Sequence, residues 1–174
     1  MMKLLVYITL LGSLFAQSID DEMNEKFIKS LVDDINRQRN NAVIKRIDDS
    51  EILNTNYSSH AEVIRIKALY NLDEVDSALI RAKAINPLNL PSNLRTSFYL
   101  IMGDIYSVKG YYDFAFQNYI DARRVNIDSR WKKTINRRIA KLLPLNLKYD
   151  TLELLLLLEE NERNKNIILL AQTF

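Results

Sequence analysis

The stretch Gly103–Ala122, GDIYSVKGYYDFAFQNYIDA, holds two of the three glycines in the chain. A phosphate-cradling loop needs clustered glycines after a strand, with a lysine or a tight GxGxxG. Here Gly103 and Gly110 stand seven residues apart with helical periodicity between them. Small residues at Gly103, Ala115 and Ala122 alternate with bulky ones at Tyr99, Met102, Tyr106 and Tyr119. That alternation predicts two antiparallel helices in close approach, with Gly110 in the turn between them, where a positive φ costs glycine least. The glycines serve packing, and a glycine-loop ligand site is not expected.

Composition agrees with a helical chain. With 174 residues the protein is large enough for a sizeable core, and three glycines and three prolines are too few for a fold built on tight β-turns. Leu, Ile, Ala, Lys, Arg, Glu and Asn dominate instead, which favours helix. A net charge of +2 gives no reason to expect a wholesale polyanion binder. Absence of cysteine removes disulfides, thiolate zinc sites and cysteine nucleophiles. The sole histidine, His60, rules out paired-histidine metal motifs. No metal, cofactor or catalytic residue is expected.

At the N-terminus, MMKLLVYITLLGSLFAQS carries Lys3 and then an apolar run from Leu4 to Ala16. As a helix the run would span ~20 Å, short of a ~30 Å hydrocarbon core. Residues 1–18 therefore read as a secretory signal peptide, cleaved after Ala16 or Ser18. No cysteine follows, which excludes a lipoprotein anchor. The expected location is outside the cytoplasm, in the periplasm or envelope of a bacterium.

Downstream the chain reads as helix upon helix. Met23, Phe27, Ile28, Leu31, Val32 and Ile35 form one apolar stripe. A short second helix carries Val43, Ile44 and Ile47, and NTNYSSHAE reads as a loop. Ser59 with Glu62 predicts a capping box for the next helix, and Asp73 predicts a cap for the one after. Pro87 and Pro91 bracket a loop, Asp128 caps a further helix ending before Pro144, and Asp150 with Glu153 forms a last capping box.

Counted from Thr96, the residues Tyr99, Met102, Gly103, Tyr106, Gly110, Tyr112, Ala115, Tyr119 and Ala122 resemble the 34-residue tetratricopeptide repeat. The clearest unit is 96–129. Upstream, LDEVDSALIRAKAINP resembles a second repeat helix with Ala78 as the counterpart of Ala115, preceded by a helix carrying Ile64, Ala68 and Leu69. Residues 20–50 can form a degenerate pair, and Trp131 and Ile135 resemble the start of another unit. The resemblance implies an all-α superhelix of antiparallel helix pairs over residues 19–145. It also implies a protein or peptide partner, held in a groove lined by Ser97, Leu100, Asp104, Ser107 and Val108. Leu100 and Asp104 depart from the lysine and asparagine with which chaperone-binding members clamp a peptide carboxylate, so an extended or helical segment suits this groove better. The implied function is an exported, non-catalytic interaction scaffold. The other reading is the N-terminal helical module of a larger envelope protein, such as one carrying a periplasmic-binding-protein-like domain.

Two further features bear on partners. Arg130, Lys133, Arg137 and Lys141 share one face of a helix, with Arg138 beside them and Trp131, Ile135, Ile139 and Leu142 opposite. Such a face is either simply solvated or meets an anionic membrane surface, an acidic partner or nucleic acid; export argues against nucleic acid. Residues 146–174 read as a C-terminal helix pair with apolar runs Leu154–Leu158 and Ile167–Ala171. That pair either folds over the last repeat or meets another subunit or a further domain, which makes an oligomer through these helices one expectation. His60, behind Ser58 and Ser59, reads as a first-turn histidine, because neighbours on one helical turn do not supply a nucleophile–base–orienter geometry. Asn56-Tyr57-Ser58 is a glycosylation sequon, relevant to a eukaryotic secretory pathway.

Overall fold

The structure, a computed structural model, describes residues 20–125 and 129–142. Every regular element among them is helical, as the composition requires. The signal segment, the Asp128 cap and the C-terminal helix pair lie outside the described residues. The chain divides into two compact units, Met1–Asp73 and Glu74–Phe174. The division falls within the upstream repeat expected from the sequence, between its first and second helices.

The first unit holds α1 (20–36), α2 (Asn40–Asp48), a 3-10 turn (Glu51–Asn54) and α3 (Ser58–Asn71). Ile28 and Leu31 of α1 bury against Val43 and Ile47 of α2, Ile52, and Ala61, Ile64 and Ala68 of α3. The apolar stripe on α1 is narrower than its spacing suggests. Met23 is 64% exposed and Val32 42%, since Val32 is rotated about 100° from the buried Leu31. Charged residues brace this unit. The Arg46 guanidinium engages the Asp34 carboxylate, donates to Ser30 Oγ at 2.7 Å and lies 5.1 Å from the centre of the Phe27 ring. Buried Arg65 of α3 reaches Asp48 at the end of α2 and donates to Glu62 at 2.9 Å.

Both upstream caps differ from expectation. Helix α3 begins at Ser58, so Ser59 already lies within its first turn; no side chain caps the helix, and Glu62 serves Arg65 instead. Asp73 adopts φ +62° and closes α3, its N–H donating to the Tyr70 carbonyl at 3.1 Å, while Glu74 precedes α4. Aspartate is among the few residues that enter the left-handed region readily, which explains its use there rather than as an N-cap.

The second unit comprises α4 (Val75–Lys83), a 3-10 turn (Pro87–Asn89), α5 (Ser92–Val108), α6 (Tyr112–Val125) and α7 (Ser129–Leu142). The proline-bracketed loop is pinned by Arg95, whose Nη2 donates to the carbonyls of Leu88 and Leu90 at 3.0 and 2.8 Å. Helices α5 and α6 form an antiparallel hairpin, and α7 packs on α6. Gly103 has Tyr119 lying directly across it: a Cβ there would stand 2.2 Å from Cε1 of that ring. Ala115 and Ala122 are fully enclosed, as is Ala78 on α4.

Gly110 makes the turn at φ +77°. Its N–H donates to the Ser107 carbonyl at 3.1 Å, and the Tyr111 N–H reaches back to the Tyr106 carbonyl at 2.9 Å. This pair of bonds is a Schellman closure, and the apolar contact that accompanies such closures is the edge-on packing of Tyr111 on Tyr106 at 6.4 Å. The same closure ends α1, with Gln38 at φ +60° in the position glycine favours.

Candidate interaction face

The α5–α6 turn fixes where the side chains of the second unit point. A helical residue turns about 100° from its neighbour. Tyr112 therefore packs against the core, while Tyr111 and Phe114 face outward at 52% and 62% exposure. Phe114 packs beside Tyr106 at 5.4 Å between ring centres, and Tyr106 in turn packs against the core. Val108, 62% exposed, completes the end of α5. Next in the chain, Lys109 engages Asp76 of α4, and that hydrogen bond raises its ammonium pKa above the ordinary lysine value. The result is an apolar, aromatic corner on a short hairpin whose backbone is closed by a glycine turn. Aromatic rings of this kind offer large contact area with little conformational freedom to lose, the property that makes them anchors of protein interfaces.

The residues expected to line a groove separate into different roles. Leu100 is 4% exposed and belongs to the core with Ala115, Phe116, Tyr119, Ile120, Ile135, Ile139 and Leu142. The same cluster takes in Ile135 and Ile139 of α7, so Leu100 sits in the core rather than on an open surface. Asp104 is committed internally: it accepts from Arg138 Nε at 2.6 Å and Nη2 at 2.9 Å, and from the Tyr119 hydroxyl at 2.9 Å. Ser97 is half-buried, its hydroxyl turned to the Asn93 carbonyl at 3.3 Å, and Ser107 is likewise half-buried. Only Val108 of the five is freely presented. The repeat-like spacing does not single out Tyr111 or Phe114. The available signal was the density of rings in Tyr111-Tyr112-Asp113-Phe114, of which a helix starting at Tyr112 can bury only part.

The basic face also divides. Arg138 turns toward Asp104, while Lys133, Arg137 and Lys141 are exposed; Ile135, Ile139 and Leu142 are buried opposite them, and Trp131 packs against the same core. The Arg130 side chain lies outside the described residues. His60 stands in the first turn of α3, its ring 5.7 Å from Tyr57 and its Nδ1 buried without a hydrogen-bond partner. Burial pushes its imidazole pKa below the ordinary value. Among the described residues no group of three or more His, Asp or Glu side chains is arranged to hold a metal ion.

No protein-family model, curated protein or solved structure matches the chain.

Proposed function

We propose that this chain is an exported, non-catalytic protein-interaction scaffold of tetratricopeptide-like construction, and that the aromatic corner of the α5–α6 hairpin is a contact point for its partner. The observation that carries the reading is the exposure of Val108, Tyr111 and Phe114 together on one closed helix turn. Isolated exposed apolar residues are ordinary, whereas adjacent ones on a braced element mark contact surfaces. The repeat-like construction is supported by a register. Asp104 and Arg138 stand 34 residues apart, the length of the resembled repeat, and they meet in a two-pronged ion pair. Residues at the same place in successive units would be neighbours in a stack of such units.

The test is site-directed photocrosslinking in the native cell. A benzophenone amino acid replaces Phe114 in one variant and exposed Arg124, near the other end of α6, in another. The proposal expects a discrete protein adduct from position 114 that is absent from position 124. Equal adducts from both positions, or none from 114, would sink it.

A further inference from the structure

Helix α7 carries six basic residues and no acidic one between Ser129 and Leu142. Lys133, Arg137 and Lys141 follow one another at four-residue steps on its exposed side. Like charges at that spacing face each other on a helix surface and disfavour it. On α1, exposed Lys26 and Lys29 are each matched by a glutamate one turn earlier, at 2.7 Å from Glu22 and Glu25. On α7, Arg138 already holds the Asp104 carboxylate in a forked pair. The stripe it leaves is a line of cations spanning about 12 Å along the axis.

We infer that this stripe is a docking surface for anionic phospholipid headgroups. Charge complementarity selects an anionic occupant, and the make-up of the face selects a lipid surface over a protein. Among the described residues Thr134 and Ala140 flank the stripe, and there it offers no exposed aromatic or large aliphatic side chain of the kind that anchors protein interfaces. Two of its three cations are lysines, whose ammonium is a point charge on a flexible stem, suited to diffuse phosphates rather than to a planar carboxylate. Among the described residues no helix is long and apolar enough to cross a membrane, and the stripe requires none: the helix would lie flat, with Ile135 and Ile139 kept in the core. Each basic residue near an anionic leaflet strengthens binding about fivefold, so three give about a hundredfold.

The experiment is co-sedimentation of the full chain with vesicles of equimolar phosphatidylglycerol and phosphatidylcholine, and with phosphatidylcholine alone. The zwitterionic vesicles account for any charge-independent contribution of the apolar run Leu4–Ala16. The wild type should bind the anionic vesicles more tightly. The triple variant K133Q/R137Q/K141Q should lose about a hundredfold of that binding at physiological ionic strength. Lys45→Gln/Arg37→Gln/Lys83→Gln removes the same charge from exposed positions elsewhere and should lose far less. Circular dichroism and thermal melting of both variants should match wild type, since all six positions are exposed. Equal binding by wild type and the α7 variant overturns the inference, and so does equal loss in the two triple variants. Stripe-dependent binding to polyglutamate with none to anionic vesicles also overturns it, in favour of an acidic protein.

Discussion

A methyl group at Gly103 would stand 2.2, 2.5 and 2.9 Å from three atoms of the Tyr119 ring. That ring cannot swing aside cheaply, because it is 3% exposed and its hydroxyl is tied to Asp104. Overpacking of this kind costs about 1–3 kcal/mol, against a helix-propensity gain of about 1 kcal/mol for replacing glycine. Gly103→Ala should therefore lower stability by up to about 2 kcal/mol in urea unfolding, and a stabilised variant would show that the hairpin is not packed this closely. Gly110 is the opposite case: nothing lies within 4 Å of an added Cβ, and only its φ of +77° resists substitution. His60 should contribute a pH dependence to the stability of the first unit. Burial weakens proton binding in the folded chain, and a cation in the first turn of α3 opposes the helix dipole. A histidine with a depressed folded pKa contributes its full stability above its unfolded pKa, near 6.5. That contribution falls as pH drops below this value, because the unfolded chain takes up the proton first. The urea midpoint should decline between about pH 7.5 and 5.5, and His60→Gln should flatten that segment of the profile. An unchanged slope in the variant would assign the decline to other groups.

At the scale of helices, the Asp104–Arg138 pair joins α5 to α7, and its prediction separates an ion pair from a packing contact. The two side chains are 13% and 25% exposed. Removing either partner should cost about 1–3 kcal/mol, less than a fully buried pair because water reaches both. Asp104→Ala should cost more than Arg138→Ala, since it also removes an acceptor of the Tyr119 hydroxyl, and the double-mutant cycle should return a coupling of about 1 kcal/mol. Zero coupling in urea unfolding would mean the pair does not hold the helices together. The same two residues show what a sequence can and cannot reveal here. The helices were legible because apolar residues recur at three- and four-residue steps, and the α5–α6 approach was legible because Gly103, Ala115 and Ala122 leave room that Tyr119 fills. Leu100 lies in a core cluster that extends to Ile135 and Ile139, a helix further on, which its own place on α5 does not reveal. Asp104 and Arg138 each look like an ordinary solvated charge until their helices are brought together. Ser59 and Asp73 do not cap for a local reason: a start of α3 two residues earlier, and a left-handed turn at its end, give both side chains other surroundings.

For the whole molecule, the export reading rests on residues 1–18 and has a direct consequence in mass and charge. The full chain weighs 20.3 kDa. Removal of a signal peptide after Ser18 would take away ~2 kDa and, with it, Lys3 as the only charged side chain lost. That leaves 23 basic residues against 22 acidic, from 24 and 22 in the full chain. A nearly neutral protein carrying a cationic stripe on α7 would bind through that local patch rather than through its overall field, which is why the vesicle experiment compares equal charge removal at two places. The first measurement is the intact mass of the protein recovered from its source cells, fractionated into cytoplasmic and exported material. Material of about 18 kDa in the exported fraction, with an N-terminus at Gln17 or Ile19, is the expected result. Recovery of the unprocessed chain from the cytoplasm alone would remove the export proposal. The aromatic corner and the α7 stripe would then have to meet a cytoplasmic partner and the inner face of a membrane instead.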